Sequence, residues 1–359
     1  MKRDDYGKLT SYLEQLINSG KTPGLQYVVL KDGEIMYEQS LGIAEFETGK
    51  KITTETVFNA FSVTKTFTSL AVMQLARMGK INLIDDVSTY LGEYPFLTDV
   101  KIYQLLAHIS GIPNPIPLRW IHLQEEYASF NSSKFTWNIL NTCSRPKHTP
   151  GESFSYSNLN YLILGKIIEK VTGTSYTSFV KRSIIRKIGV NDHVADFAVS
   201  DNMDYARGYQ KRFSLLNLLL GFFMDKRRYT EPSSNPGWIK FKKYYVNGVA
   251  YGGLITNAYA LTKFMSELFK PYTSLLSDIW KTILLTPQQT NNGREINMTL
   301  GWFIGKLKGI EHFSHAGGGG GYYCEMRAYP EKNLFTAIIF NRSGIREEHF
   351  LDKLDSYFL

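Results

Sequence analysis

The chain has 359 residues, 43% of them hydrophobic and 21% charged, with a net charge of +8. That length asks for more than one small core, and that composition excludes a disordered chain in favour of one large or two intergrown soluble units. The positive charge is thickest from Lys211 to Lys243, where apolar residues interrupt it; no nucleic-acid motif accompanies it, so it reads as a solvated basic surface and no nucleic-acid partner is expected.

The N-terminus, Met1-Lys2-Arg3-Asp4-Asp5, is charged and is followed by no apolar run of signal-peptide type. No segment reaches the roughly 18 continuous apolar residues of a membrane span. A cytoplasmic location is the simplest expectation. Tyr6 to Ser19 has helical spacing, with Leu9, Tyr12, Leu13 and Leu16 on one face. Leu25 to Leu30 is a strand, Lys31-Asp32-Gly33 a hairpin turn, and Glu34 to Ser40 the returning strand.

Thr56 to Phe61 is strand-like, and the strongest helix starts at Ser62. Phe67, Leu70, Ala71, Val72, Leu75 and Met78 give that helix an apolar face, and Gly79 fits its C-terminal cap. Tyr161 to Val171 and Tyr176 to Lys187 also read as helices. Leu215 to Met224 is almost continuously apolar, between Lys211 and Arg212 on one side and Lys226, Arg227 and Arg228 on the other. It is too short to span a bilayer and is read as a buried helix or packed loop. Its functional alternative is an apolar lid, or a dip into a membrane surface.

Tyr322 to Tyr329 and Leu334 to Asn341 are strands joined by the turn Pro330 to Asn333, and His349 to Phe358 closes as a helix. Strands at both ends and helices between them predict an α+β fold with one antiparallel sheet built from both termini. The middle, about Phe58 to Lys240, is the mainly helical insertion. Cys143 and Cys324 are far apart and are expected to stay reduced.

A serine hydroxyl needs a nearby base and donors aimed at the oxyanion it creates. Serine at a helix start with lysine three residues on puts both on one face, near free N–H groups and the positive end of the dipole. Ser62-Val63-Thr64-Lys65 fits that arrangement. Two other Ser-x-x-Lys copies do not. Ser144 to Lys147 contains Pro146, and Ser178 to Lys181 lies inside a helix whose N–H groups are paired.

Tyr156-Ser157-Asn158 is the second element. A tyrosine near a lysine ammonium can serve as base or proton relay, and Asn158 can offer its amide to a substrate carbonyl or to Lys65. Tyr-x-Asn recurs at Tyr245 to Asn247, but Tyr156 sits in a loop at a helix start. The third element is His315-Ala316-Gly317, with four further glycines behind it. Glycine there lets a substrate lie against a strand edge. The Gly318 N–H is a candidate second oxyanion donor beside that of Ser62, and His315 can bind a substrate carboxylate or assist proton transfer. His108 reads as structural, tying down the turn through Ser110, Gly111 and Pro113. No histidine has metal-ligand spacing.

Ser-x-x-Lys, Tyr-x-Asn and His-x-Gly in this order resemble the serine β-lactamase and penicillin-binding-protein superfamily, most closely its class C branch with its esterases and D-amino-acid peptidases. Leu105 to Pro113, Tyr251 to Thr256 and Leu300 to Ile304 are similar to the same branch, and the resemblance runs from about Gly24 to Leu354. It implies a sheet-containing α/β domain (1–57 and 241–359) joined to an all-helical domain (58–240), with the site in the cleft between them. It implies that Ser62 attacks, that Lys65 and Tyr156 handle protons, and that Asn158, His315, Gly317 and Gly318 hold the substrate. The substrate would be a small molecule or peptide, with no metal or organic cofactor. A non-turnover sensor or scaffold that binds β-lactams or peptides is the alternative on the same fold. The pattern departs from class C at His315, where those enzymes carry a lysine facing the β-lactam carboxylate. Histidine is largely neutral near pH 7. Arg342 is a candidate replacement cation, and His-x-Gly shades the expectation toward esterases and peptidases.

Overall fold

The computed structural model describes residues 3–115, 120–142, 146–215, 217–218, 221, 225–345 and 349–359. Cys143 and Ser144, and much of the 215–224 run, lie outside the described residues. Helix α1 (Arg3–Asn18) leads into strands β1 (Gly24–Lys31) and β2 (Glu34–Glu45), with the short β3 (Lys50–Lys51) at the margin. The turn between β1 and β2 places Asp32 at φ 52° and Gly33 at φ 87°, the pair of positive angles that a tight hairpin requires.

The C-terminal part supplies β4 (Phe303–Leu307), β5 (Ile310–Gly319), β6 (Tyr322–Tyr329) and β7 (Leu334–Phe340). All seven strands form one antiparallel sheet in the order β4-β5-β6-β7-β1-β2-β3. The expectation of a sheet built from both termini holds. Its centre is β6-β7-β1, where nearly every residue is buried because both faces are covered.

Alternation along β1 shows how. Leu25, Tyr27 and Val29 pack with Leu9, Leu13 and Leu16 of α1 and with Leu351, Leu354 and Phe358 at the C-terminus. Val28 and Leu30 face the other way, into the larger core that includes Leu261, Phe264, Met265 and Leu268 of a helix at Ala258–Phe269.

The middle of the chain is largely helical. A single 3₁₀ turn, Phe61–Val63, runs into α2 (Thr64–Arg77), and a further long helix, α3, covers Asn158–Thr172. Thr64 to Ala76 is buried without interruption, so α2 threads the core instead of presenting one apolar face. Met78, assigned to that face from its spacing, is 52% exposed, because the helix has ended and Gly79 turns the chain at φ 69°. Tyr176 to Lys187 is not one regular helix: an α segment at Tyr176–Val180 passes into a π turn at Lys181–Ile185. The middle also holds a three-stranded sheet of Tyr209–Lys211, Trp238–Phe241 and Thr230–Pro232.

Leu215 and Leu218 are 60% and 65% exposed, so at these two positions the buried reading of the apolar run is wrong. Local hydrogen bonding holds their backbone in a turn above the small sheet instead of docking it into the core. Among the described residues no helix is long and apolar enough to cross a membrane.

Candidate active site

Ser62 lies in the 3₁₀ turn where the short strand Phe58–Asn59 becomes α2. The turn is tight: Phe61 has φ 48°, an angle that non-glycine residues seldom adopt. Thr64 braces it by donating through Oγ1 to the Phe61 carbonyl (2.6 Å) and accepting from the Leu254 N–H (3.0 Å).

Lys65, one turn on, is fully buried. Its Nζ lies 3.0 Å from Ser62 Oγ, 2.8 Å from Asn158 Oδ1 and 2.8 Å from the Tyr251 carbonyl oxygen. It also sits 5.0 Å from the Tyr156 ring centroid, 5.6 Å from that of Tyr161 and 5.5 Å from that of Tyr251. No carboxylate forms an ion pair with it among the described residues. Burial holds its pKa well below the ordinary lysine value. A neutral amine has two hydrogens and one lone pair. Asn158 Oδ1 and the Tyr251 carbonyl can only accept, so they fix the two hydrogens, and the lone pair is left for the Ser62 hydroxyl.

Asn158 opens α3, and its orientation is set by Asn114. The Asn114 Oδ1 accepts from both the Asn158 backbone N–H (3.0 Å) and Nδ2 (3.2 Å), which turns Oδ1 of Asn158 toward Lys65. Tyr156 lies two residues earlier, in the loop before α3, and is half-buried. Its ring lies 4.3 Å from that of His108 and 6.4 Å from that of Phe303, near-parallel to the latter. His108 is fully buried, and its ring reaches not the Ser110–Pro113 turn but the loop before α3: Nδ1 accepts from the Ser157 N–H (3.1 Å), pinning the Tyr156 loop. Burial, then the nearby Lys65, holds His108 well below the usual histidine pKa, so it stays neutral.

The opposite wall is the end of β5. Strand β4 pairs with β5 only as far as Ser314, while β6 continues to Gly319. His315 to Gly319 therefore carry an edge that β4 leaves bare, and Ser62 lies alongside it. A Cβ on Gly317 would stand 2.3 Å from the Ala60 carbonyl oxygen and 2.7 Å from the Ser62 nitrogen, so only glycine allows this approach. Gly318, next along, has ordinary spacing to Tyr322 and Tyr323.

The His315 ring is buried, and its Nδ1 lies 2.9 Å from the Ala316 carbonyl oxygen. That oxygen only accepts, so Nδ1 carries the hydrogen and Nε2 keeps its lone pair. Burial first, and then the Lys65 charge, pushes the His315 pKa down to about 3. The ring is uncharged at neutral pH and is no substitute for a lysine. Arg342, the candidate replacement cation, does line the same cleft, with its guanidinium donating to the carbonyls of Lys21, Ser343 and Gly344 and lying 5.9 Å from the Trp238 ring.

Ser62, Tyr156, His315, Gly317 and Gly318 line one cleft of about 1090 Å³, with Phe303 and Phe154 among its apolar walls. Lys65 and Asn158 stand behind Ser62. All seven residues singled out from the sequence thus come together. Asn114 and the Tyr251 carbonyl were missed, although Asn114 directly follows the quoted Leu105–Pro113 stretch and Tyr251 opens the quoted Tyr251–Thr256. Of the rival Ser-x-x-Lys copies, Lys181 is taken by Asp192 and Asp196, and Ser144 lies outside the described residues. Tyr245 and Asn247 of the second Tyr-x-Asn are spent elsewhere, on the Val199 N–H and on His122. Among the described residues no group of three His, Cys, Asp or Glu side chains is placed to hold a metal ion.

A family model described as Beta-lactamase matches residues 9–355. The chain is 28% identical over 324 residues to penicillin-binding protein 4* of Bacillus subtilis (strain 168), covering 86% of this chain and 66% of that protein. It is 32% identical over 199 residues to protein flp of Staphylococcus aureus (strain N315), covering 52% of this chain and 38% of that one. It therefore spans less than two thirds of the length of either relative. Among solved structures it is similar to the octameric penicillin-binding protein homologue from Pyrococcus abyssi, with a TM-score of 0.79 at 25% identity, over 99% of this chain and 77% of that chain.

Proposed function

The chain belongs to the Beta-lactamase family, and from that premise we propose that it is a serine hydrolase working through an acyl-enzyme on an ester or amide. The observation that carries this reading is the saturation of Lys65. Asn158 Oδ1 and the Tyr251 carbonyl can take the two hydrogens of a neutral amine, and Ser62 Oγ lies within reach of its lone pair at 3.0 Å.

In this reading Lys65 takes the Ser62 proton as Oγ attacks the substrate carbonyl. The tetrahedral oxyanion is held by the N–H groups of Ser62 and Gly318. Alternation along β5 turns Gly318 to the same edge as the Ala316 carbonyl, the edge β4 leaves open. Such preformed donors need no reorganisation as charge develops. Tyr156, beside Lys65, passes a proton to the departing alkoxide or amine. Water entering by the same route then releases the acyl group. Gly317 and the edge of β5 carry the substrate backbone. A neutral His315 offers a substrate carboxylate no fixed cation at the position where class C enzymes carry a lysine, so a carboxylate would have to be met by Arg342 or Lys211 elsewhere in the cleft.

The test is hydrolysis of p-nitrophenyl butyrate by wild type and by Ser62→Ala. The expected result is turnover that falls by a factor on the order of a thousand or more in the variant. Equal activity would remove Ser62 as nucleophile. A second reading, suggested by the name of the B. subtilis relative, is a β-lactam or peptide binder that acylates and hardly deacylates. It predicts a stoichiometric burst with no steady state, dependent on Ser62.

A further inference from the structure

The segment Lys211 to Lys243 holds eight of the chain's lysines and arginines against two acids, so most of the +8 charge sits on this one excursion. Phe213, Leu215 and Leu218 stand out of the same excursion, 89%, 60% and 65% exposed. Their exposure is built in. Ser214 Oγ donates to the Lys211 carbonyl (3.0 Å) and accepts from the Asn217 N–H (3.2 Å) and Gln210 Nε2 (3.0 Å). Asn217 Nδ2 closes back on the Arg212 carbonyl (2.6 Å), and the Leu218 N–H reaches the Ser214 carbonyl (3.1 Å). The Arg212 N–H ties the turn to the Gly237 carbonyl (3.0 Å) beside the small sheet. A turn pinned this firmly holds three large apolar side chains in water.

Cations surround them. Lys226 reaches the Asn217 carbonyl, Lys211 lies 5.8 Å from the Trp238 ring, and Arg227 is exposed. The acids of the neighbourhood are engaged: Glu126 pairs with Arg228, Glu231 with Arg207 and Lys240, and Asp225 caps the Arg227 and Arg228 N–H groups. Leu215 and Lys211 also line the cleft that holds Ser62.

We propose that this knuckle docks the protein on an anionic lipid surface, with Phe213, Leu215 and Leu218 dipping into the headgroup boundary and the flanking cations over it. Protruding phenylalanine and leucine between lysines and arginines is the composition that binds membrane interfaces without spanning them. The neighbouring acids are already paired, so an anionic surface is the complementary partner, and a second copy would bring like charge against like. Docking there sets the mouth of the cleft against the bilayer and feeds it lipophilic substrates. Docking is read by pelleting, so its failure is distinguishable from failure of the acyl-transfer reading, on which only the delivery of lipophilic substrates rests.

The experiment is co-sedimentation with vesicles of phosphatidylcholine alone and of phosphatidylcholine with phosphatidylglycerol. Wild type is expected to pellet with the anionic vesicles only, and less in high salt. Phe213→Asp with Leu218→Asp is expected to abolish pelleting. Arg212→Glu with Arg227→Glu is expected to weaken it by about fivefold or more per cation reversed. Both variants are expected to keep the wild-type melting temperature and butyrate turnover. Wild type left in the supernatant with both vesicles overturns the proposal and turns attention to an acidic protein surface. Variants that pellet like wild type overturn it as well.

Discussion

The Oδ1 of Asn158 stands 2.8 Å from Nζ of Lys65 and accepts one of its hydrogens, on a side chain that is itself aimed by Asn114. Asn158→Asp exchanges that neutral acceptor for a carboxylate and favours the ammonium form of Lys65. The acid limb of the pH–rate profile reports loss of the neutral amine. In the variant it is expected to move to higher pH by one to three units, roughly the effect of an adjacent opposite charge. Measuring kcat/KM against pH for both proteins checks this. An unmoved limb would remove Lys65 as the base. Asn114→Ala, which frees Asn158 without adding charge, is expected to lower kcat with little shift in the limb.

Gly317→Ala is the sharpest steric test. Its Cβ would press on the Ala60 carbonyl and the Ser62 nitrogen. The Ser62 N–H would shift, and turnover is expected to fall by about a hundredfold or more, as on loss of an oxyanion donor. The clash is with backbone, so the melting temperature is expected to fall as well, and turnover is compared per folded protein well below it. Gly318→Ala meets ordinary contacts and is expected to be mild.

His315 has its pKa near 3, so it gains no proton between pH 5 and pH 8. His315→Gln is expected to leave the shape of the pH–rate profile unchanged across that window. His315→Lys places a cation on the open edge. It should improve acylation by a carboxylate-bearing β-lactam by roughly tenfold, about one charge-assisted hydrogen bond. Acylation rates with a fluorescent penicillin would show it, and no improvement would mean that the carboxylate is read elsewhere.

Arg327 is buried between Glu325 and the surface Asp352, both of which line another part of the Ser62 cleft. Asp355 accepts nearby from Tyr27, Tyr329 and Thr336. Burial raises both inner carboxyls, Glu325 to about 7 and Asp355 to about 6. Their folded pKa values exceed the unfolded ones, so the native state binds more protons. The stability they contribute is full below about pH 4 and lost as pH rises through 6 and 7. The melting temperature is expected to decline from about pH 5 to pH 8, measured by calorimetry. Arg327→Met leaves Glu325 without its cation and is expected to cost about 3 kcal/mol or more.

The Ser62–Lys65 pair was legible in the sequence because its signal is local: the two are one helical turn apart at the start of a helix. The terminal strands were legible for the same reason, as alternation and turn chemistry act within a few residues. Asn114 and the Tyr251 carbonyl were not, since one reaches the site from a loop distant in sequence and the other through backbone, which carries no residue identity. Met78 followed the helical period past the point where Gly79 ends the helix. Leu215 and Leu218 were assigned to the core because apolar runs usually bury, and the hydrogen bonds of Ser214 and Asn217 that hold them outward leave no periodic trace.

Strand β1 lies between β2 and β7, with Leu25 paired to Phe340 and Lys31 to Leu334. On the ribosome the β1-β2 hairpin emerges early, with one long hydrophobic edge and no neighbour for it. That edge waits while the whole helical middle is made. The strand that closes it, β7, follows that middle in the chain, so the sheet can be completed only once Phe340 has been made. Formation of the native state therefore rests on a very distant contact, of the kind that slows folding. A nascent chain stalled before Leu334 would be a chaperone client, however well its helices had formed.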